Sequence, residues 1–70
     1  MKRFEVDVTV SGAKPPRGRP IIAVTFIVPA ESPDDAKRKA LEYAERSKQL
    51  HPMKYRGAEF SVSDENIKVF

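Results

Sequence analysis

The side chains best suited to chemistry in this chain are cations. Lys14, Arg17 and Arg19 fall in a Pro/Gly-rich stretch, Arg46 and Lys48 close a helical pattern, and Lys54 and Arg56 flank the aromatic Tyr55 just beyond it. Guanidinium and ammonium groups are pure donors, so a cluster of them on one surface binds phosphate oxygens or carboxylates. An aromatic ring between two of them either offers a base a surface to stack on or packs across the end of the helix. Other reactive types are scarce. One His and no Cys leave no catalytic dyad or triad to assemble. The lack of Cys also removes disulfides, iron–sulfur clusters and thiolate zinc sites. His51, ahead of Pro52, reads as a partner for the C-terminal end of a helix. Asp34 and Asp35 are the one adjacent acid pair. Neighbouring helix positions point about 100° apart, so the two cannot readily share a metal or a proton, and capping accounts for them. Glycines at 12, 18 and 57 are too scattered for a phosphate-cradling loop. The expectation is a protein without enzymatic activity, cofactor or metal.

Seventy residues allow one small domain, taken as 1–70. A domain this small buries only about 60% of its unfolded surface and has no room for a deep cleft. Charged residues make up 33% of the chain, with 13 Lys and Arg against 10 Asp and Glu, for a net charge of +3. The 40% hydrophobic share, arranged periodically, indicates folding and not disorder. Residues 1–20 show no apolar leader, and the longest apolar-rich run, Ile21–Val28, is far short of the roughly 20 residues that span a bilayer. A cytoplasmic protein with no membrane partner is expected.

The elements that must position the cations follow from periodicity. Phe4, Val6, Val8 and Val10 alternate with Glu5, Asp7 and Thr9, the pattern of a half-buried strand. Ser11–Pro20, with two Gly and three Pro, is a loop. Ile21–Val28 is a second strand, with Ile22, Val24, Phe26 and Val28 on one face. Its other face, Ile21, Ala23, Thr25 and Ile27, is also fairly apolar, so the strand is expected to be central or to face a partner. Ser32 is a good N-cap, Pro33 suits the first helical position, and Asp34 and Asp35 favour the positive end of the helix dipole. Ala36, Ala40, Tyr43, Ala44, Ser47 and Leu50 recur at helical spacing, and Pro52 should end the helix near residue 49. Ala58, Phe60 and Val62 form a third strand. Ser63–Asn66 reads as a turn, and Ile67–Phe70 as a short returning fourth strand. The order β-β-α-β-β predicts an α+β two-layer sandwich, with one helix on a mostly antiparallel three- to four-stranded sheet.

This connectivity predicts two poles. The 11–20 loop, the helix C-terminus and the 51–57 segment share one end, carrying Lys14, Arg17, Arg19, Arg46, Lys48, Lys54 and Arg56 and no acid. Glu31, Asp34, Asp35, Asp64 and Glu65 fall at the other end, with no cation. The helix dipole alone accounts for Arg46, Lys48, Asp34 and Asp35, but not for the five cations in loops. A basic pole of this kind steers polyanions toward it.

Within that pole, Pro16-Arg17-Gly18-Arg19-Pro20 resembles the core of the AT-hook. The resemblance covers these five residues, or seven with Lys14 and Pro15. It implies that Arg17 and Arg19 extend along a narrow A·T-rich minor groove while Gly18 lets the backbone lie on its floor. The alternative is a stiffened hairpin loop with solvated Arg side chains.

Two functions remain open from the sequence. One is a small nucleic-acid-binding protein, DNA favoured over RNA, with Lys14, Arg17, Gly18, Arg19, Arg46, Lys48, Lys54 and Arg56 as contacts and Tyr55 as a stacking ring. The other is a protein-interaction module, of the kind found among small phage-type accessory or inhibitor proteins. It would dock on an acidic protein surface through the basic pole, or pair through a sheet edge. Monomer and homodimer are both compatible with these readings.

Overall fold

The computed structural model describes residues 2–70. They form an α+β sandwich in the order β1 (Lys2–Ser11), β2 (Ala23–Ala30), α1 (Pro33–Leu50), β3 (Glu59–Ser61), a short 3-10 turn (Asp64–Asn66) and β4 (Ile67–Val69). The molecule measures 38 × 21 × 15 Å, so its thinnest dimension is one helix laid on one sheet.

All strand pairs are antiparallel, and β1 is the hub. It pairs along its length with β2, from Lys2↔Ala30 to Thr9↔Ala23. Its other side is shared: β3 occupies the upper part (Thr9↔Ser61, Ser11↔Glu59) and β4 the lower part (Phe4↔Val69, Val6↔Ile67). Two expectations are corrected here. The apolar second strand is an edge strand, which removes its central placement and leaves the alternative that it faces a partner, and the alternating first strand is central. The fourth strand does not return from a turn at the end of the sheet. Instead β3 and β4 run in the same direction along β1, and the Asp64–Asn66 turn interrupts them midway.

The core follows from the alternation of β1. Phe4, Val6, Val8 and Val10 are buried on one face, against Val28, Ala30 and the helix stripe Ala36, Ala40 and Ala44. Three alanines on one stripe let the helix lie close to the sheet, where the strand valines fill the space that larger helix side chains would take. Phe26 meets Tyr43 edge-on at 6.0 Å between ring centroids, at the flank of this layer. The predicted stripe runs too far at its end, because Leu50 stands beyond the sheet and is 70% exposed. β2 also begins later than its apolar run. Ile21 turns in toward the top of the core and Ile22 turns out, 74% exposed, although the Ile22 carbonyl still accepts from the Val10 N–H at 2.9 Å.

The helix start is a reciprocal cap. The Ser32 hydroxyl oxygen accepts from the Asp35 N–H at 3.2 Å, and the Asp35 carboxylate accepts from the Glu31 N–H at 3.2 Å. Arg38 donates to the same carboxylate at 2.7 Å and Lys39 stands 3.5 Å from it. The Arg38 hydrogen bond, followed by the Glu31 backbone bond, holds the Asp35 carboxyl below its ordinary value of 3.8. A carboxyl depressed in the folded state stabilises the fold above its unfolded pKa, and that contribution is lost as pH falls through the folded value. An Asp35→Asn variant is therefore expected to unfold more easily than the parent at neutral pH, with the gap closing below about pH 3.8. Denaturant midpoints measured across pH 2–7 check this.

Candidate nucleic-acid interface

The loop after β1 and the segment after α1 are joined at one end of the molecule. The Lys14 N–H donates to the Arg56 carbonyl at 2.7 Å. Beneath this bond Val10, Tyr55 and Ala58 form a small second core, with Ala13 and Ile21 packed against it. Both arms of the loop are thus pinned, and residues between them, Arg17 and Arg19 included, project as an exposed excursion. The two segments also meet backbone to backbone. Gly12 and Gly57 both have positive φ, +74° and +75°, and a Cβ built on either would stand 3.0 Å from the other's carbonyl oxygen. Only glycine satisfies both the turn and the approach.

The structure sorts the predicted site residues into three groups. Lys14, Arg17, Arg19, Lys54 and Arg56 are exposed, and among the described residues none of them is ion-paired. Lys54 lies over the Tyr55 ring, 5.7 Å from its centroid. Arg46 is exposed and unpaired too, but it sits on the helix flank facing β2, beside an open groove lined by Phe26, Tyr43, Ser47 and Leu50. Lys48 is half-buried and donates to the Ala58 carbonyl at 3.0 Å, so it ties the helix to the chain entering β3.

Tyr55 as a stacking ring is corrected, and of its two readings the packed one holds. Its ring is 5% exposed and packs edge-on against Phe60 at 5.9 Å, so it cannot receive a stacked base. A lone aromatic among cations looks like a ligand platform in sequence, yet here the small core needed one large side chain and took it.

The charge map is also less polar than connectivity alone implied. Glu59 pairs in register with Ser11 and brings an acid to the cationic end. Lys2 and Arg3, opposite Ala30 and Pro29, bring cations to the end that holds Glu31 and the helix start. Asp64 and Glu65 lie midway along the sheet, where Asp64 stands 4.0 Å from Lys37. What remains uneven is the pairing. Every ion pair among the described residues joins Lys37, Arg38 or Lys39 to Asp35, Glu42 or Asp64. The cationic end has none.

The Pro16-Arg17-Gly18-Arg19-Pro20 segment bends at residues 16–18, and Gly18 has φ +80° with open space around it. Exposed apolar side chains, Ile22, Leu50 and Met53, stand at this same end. The sequence shows Gly12 and Gly57 as loop residues and Ile21 as the start of an apolar run, but not that they and Ala13 meet. A glycine in each of two loops, each next to a small apolar residue, was the available signal.

Among the described residues, no group of three or more His, Asp or Glu is arranged to hold a metal ion, and no helix is long and apolar enough to cross a membrane. No protein-family model, curated protein or solved structure gives a match to this chain.

The glycine contact makes a direct prediction. Gly57→Ala forces a side chain into left-handed backbone against the Gly12 carbonyl, and is expected to cost about 1–3 kcal/mol of stability. Chemical denaturation reads that loss, and amide exchange at Lys14 reads the loosening of the loop.

Proposed function

We propose that this protein binds nucleic acid, DNA before RNA, end-on through the joined loops. The observation that carries the reading is the unpaired state of the five loop cations, Lys14, Arg17, Arg19, Lys54 and Arg56, gathered at one end, while Lys37, Arg38 and Lys39 of the helix are all ion-paired. No carboxylate neutralises these five in the folded chain, so their charge is open to a polyanion. Both loops are held by backbone bonds and buried contacts, so binding a polyanion needs little further ordering of the platform. Lys14, Lys54 and Arg56 hold phosphates, with Arg46 reaching the flank. Arg17 and Arg19 reach furthest and enter a minor groove. The bend at residues 16–18 opens as they do so, which Gly18 permits.

The direction of approach follows from the acids. Glu5 and Asp7 face the open side of the sheet beside β2, and Glu59 borders that side near the loops. A phosphate backbone is repelled there, so the sheet itself is not the binding surface. A second reading is favoured by the exposed Ile22, Leu50 and Met53 among the cations: docking on an acidic, partly apolar protein surface.

Titration of a fluorescent duplex at several salt concentrations tests the first reading. Counterions released by the five loop cations give a log–log slope of about −4 to −5. In an Arg17→Ala, Arg19→Ala double variant the slope is expected to shrink by roughly 2, with loss of any preference for A·T-rich duplexes. Absence of binding at low salt, or a flat slope, refutes nucleic-acid binding. A partner retained on the protein after nuclease treatment selects the second reading.

A further inference from the structure

The free edge of β2 is open over a short and unguarded stretch. From Pro20 to Ala30 there is no charged side chain, the longest such run in a chain that is 33% charged, and it forms the outermost strand. Edge strands ordinarily carry lysines, prolines or bulges that discourage pairing. Because Val10 bonds to Ile22, the even-numbered residues of β2 turn their peptide groups toward β1, and Ala23, Thr25, Ile27 and Pro29 turn theirs outward. Pro29 has no N–H, and its carbonyl already accepts from the Lys39 ammonium at 2.8 Å. The pairing surface is therefore bounded below by Pro29 and comprises Ala23, Thr25 and Ile27. The other side of the sheet offers no such edge, since the Asp64–Asn66 turn divides it.

From this juxtaposition we infer that two copies of the chain pair antiparallel through β2, about a two-fold axis at Thr25. In that register each Thr25 faces the other, Ala23 faces Ile27 of the second copy, and all three outward peptide groups are satisfied while Pro29 is left out. The ends of the strand are complementary in charge. Arg19 stands in the loop ahead of the strand and Glu31 just after it, so antiparallel pairing sets the loop of each copy at the same end as the other's Glu31, and neither residue has an ion pair of its own among the described residues. A groove of about 260 Å³ lined by Phe26, Tyr43, Arg46, Ser47 and Leu50 opens along this flank. Lys14, Arg17, Lys54 and Arg56 lie outside the contact, while Arg19 is shared with the proposed nucleic-acid surface; the strand pairing itself rests on Ala23, Thr25 and Ile27.

Sedimentation of the intact protein over a concentration series is expected to give twice the 7.9 kDa chain mass. Thr25→Lys places two ammonium groups across the axis, with Asp7 beside each to keep the monomer folded, and is expected to return the mass to that of one chain with an unchanged circular dichroism spectrum. The chain has no Cys, so Thr25→Cys is a clean reporter. A residue on the axis meets its own copy at a Cα distance of about 5.5 Å, within disulfide range. Mild oxidation with diamide is expected to cross-link Thr25→Cys rapidly and Ser63→Cys, on the divided side, only slowly. A wild-type monomer at every concentration, or equal cross-linking at both positions, overturns the inference. So does a Thr25→Lys variant that stays dimeric.

Discussion

The hydrogen bonding of β1 along both edges is the constraint on which the rest of this fold depends. Among the described residues it alone has strand partners on two sides, and its inward residues, Phe4, Val6, Val8 and Val10, are the floor on which the helix rests. The three-residue strands β3 and β4 have no standing of their own and exist as ledges on β1. The helix is placed by the same floor, because an alanine stripe packs closely only where facing valines fill the gap. Remove the alternation of β1 and neither the ladder nor the helical layer has a reference.

The candidate site is an extension of that strand. Val10, its last buried residue, is the base of the small core that includes Tyr55 and Ala58 and pins Ala13 and Ile21. The two loops meet because one hydrophobic cluster and one pair of facing glycines hold them at the same place. Their cations are then neighbours by construction, and their mutual repulsion is tolerated because all five are solvated.

Much of the architecture is legible in the residues. The alternation of Phe4–Val10, the Ser32 cap and the Ala36, Ala40, Ala44 stripe each state a local preference that the packed molecule satisfies. The course of the chain after Ser61 is less legible. Ser63–Asn66 has the composition of a reversing turn, but the same residues serve as a 3-10 interruption, and only pairing to β1 decides between them. The apolar run Ile21–Val28 suggests a central strand because patterning reports which faces are apolar and not which edges are paired. Cations in loops are visible in a sequence, whereas the burial of Tyr55 is not. An aromatic flanked by Lys54 and Arg56 carries no mark of whether a small core lacks one large side chain.

The break between β3 and β4 has one more consequence. A sheet propagates into a fibre only if each added strand leaves a fresh continuous edge behind it. Here one margin is a straight ladder, and the other is two short steps set off by a 3-10 turn. Growth along the straight margin ends at whatever is added there, since the stepped margin cannot template a further layer. The irregular stretch that sequence patterning handles worst thus leaves this margin without the continuous ladder that strand-by-strand growth requires.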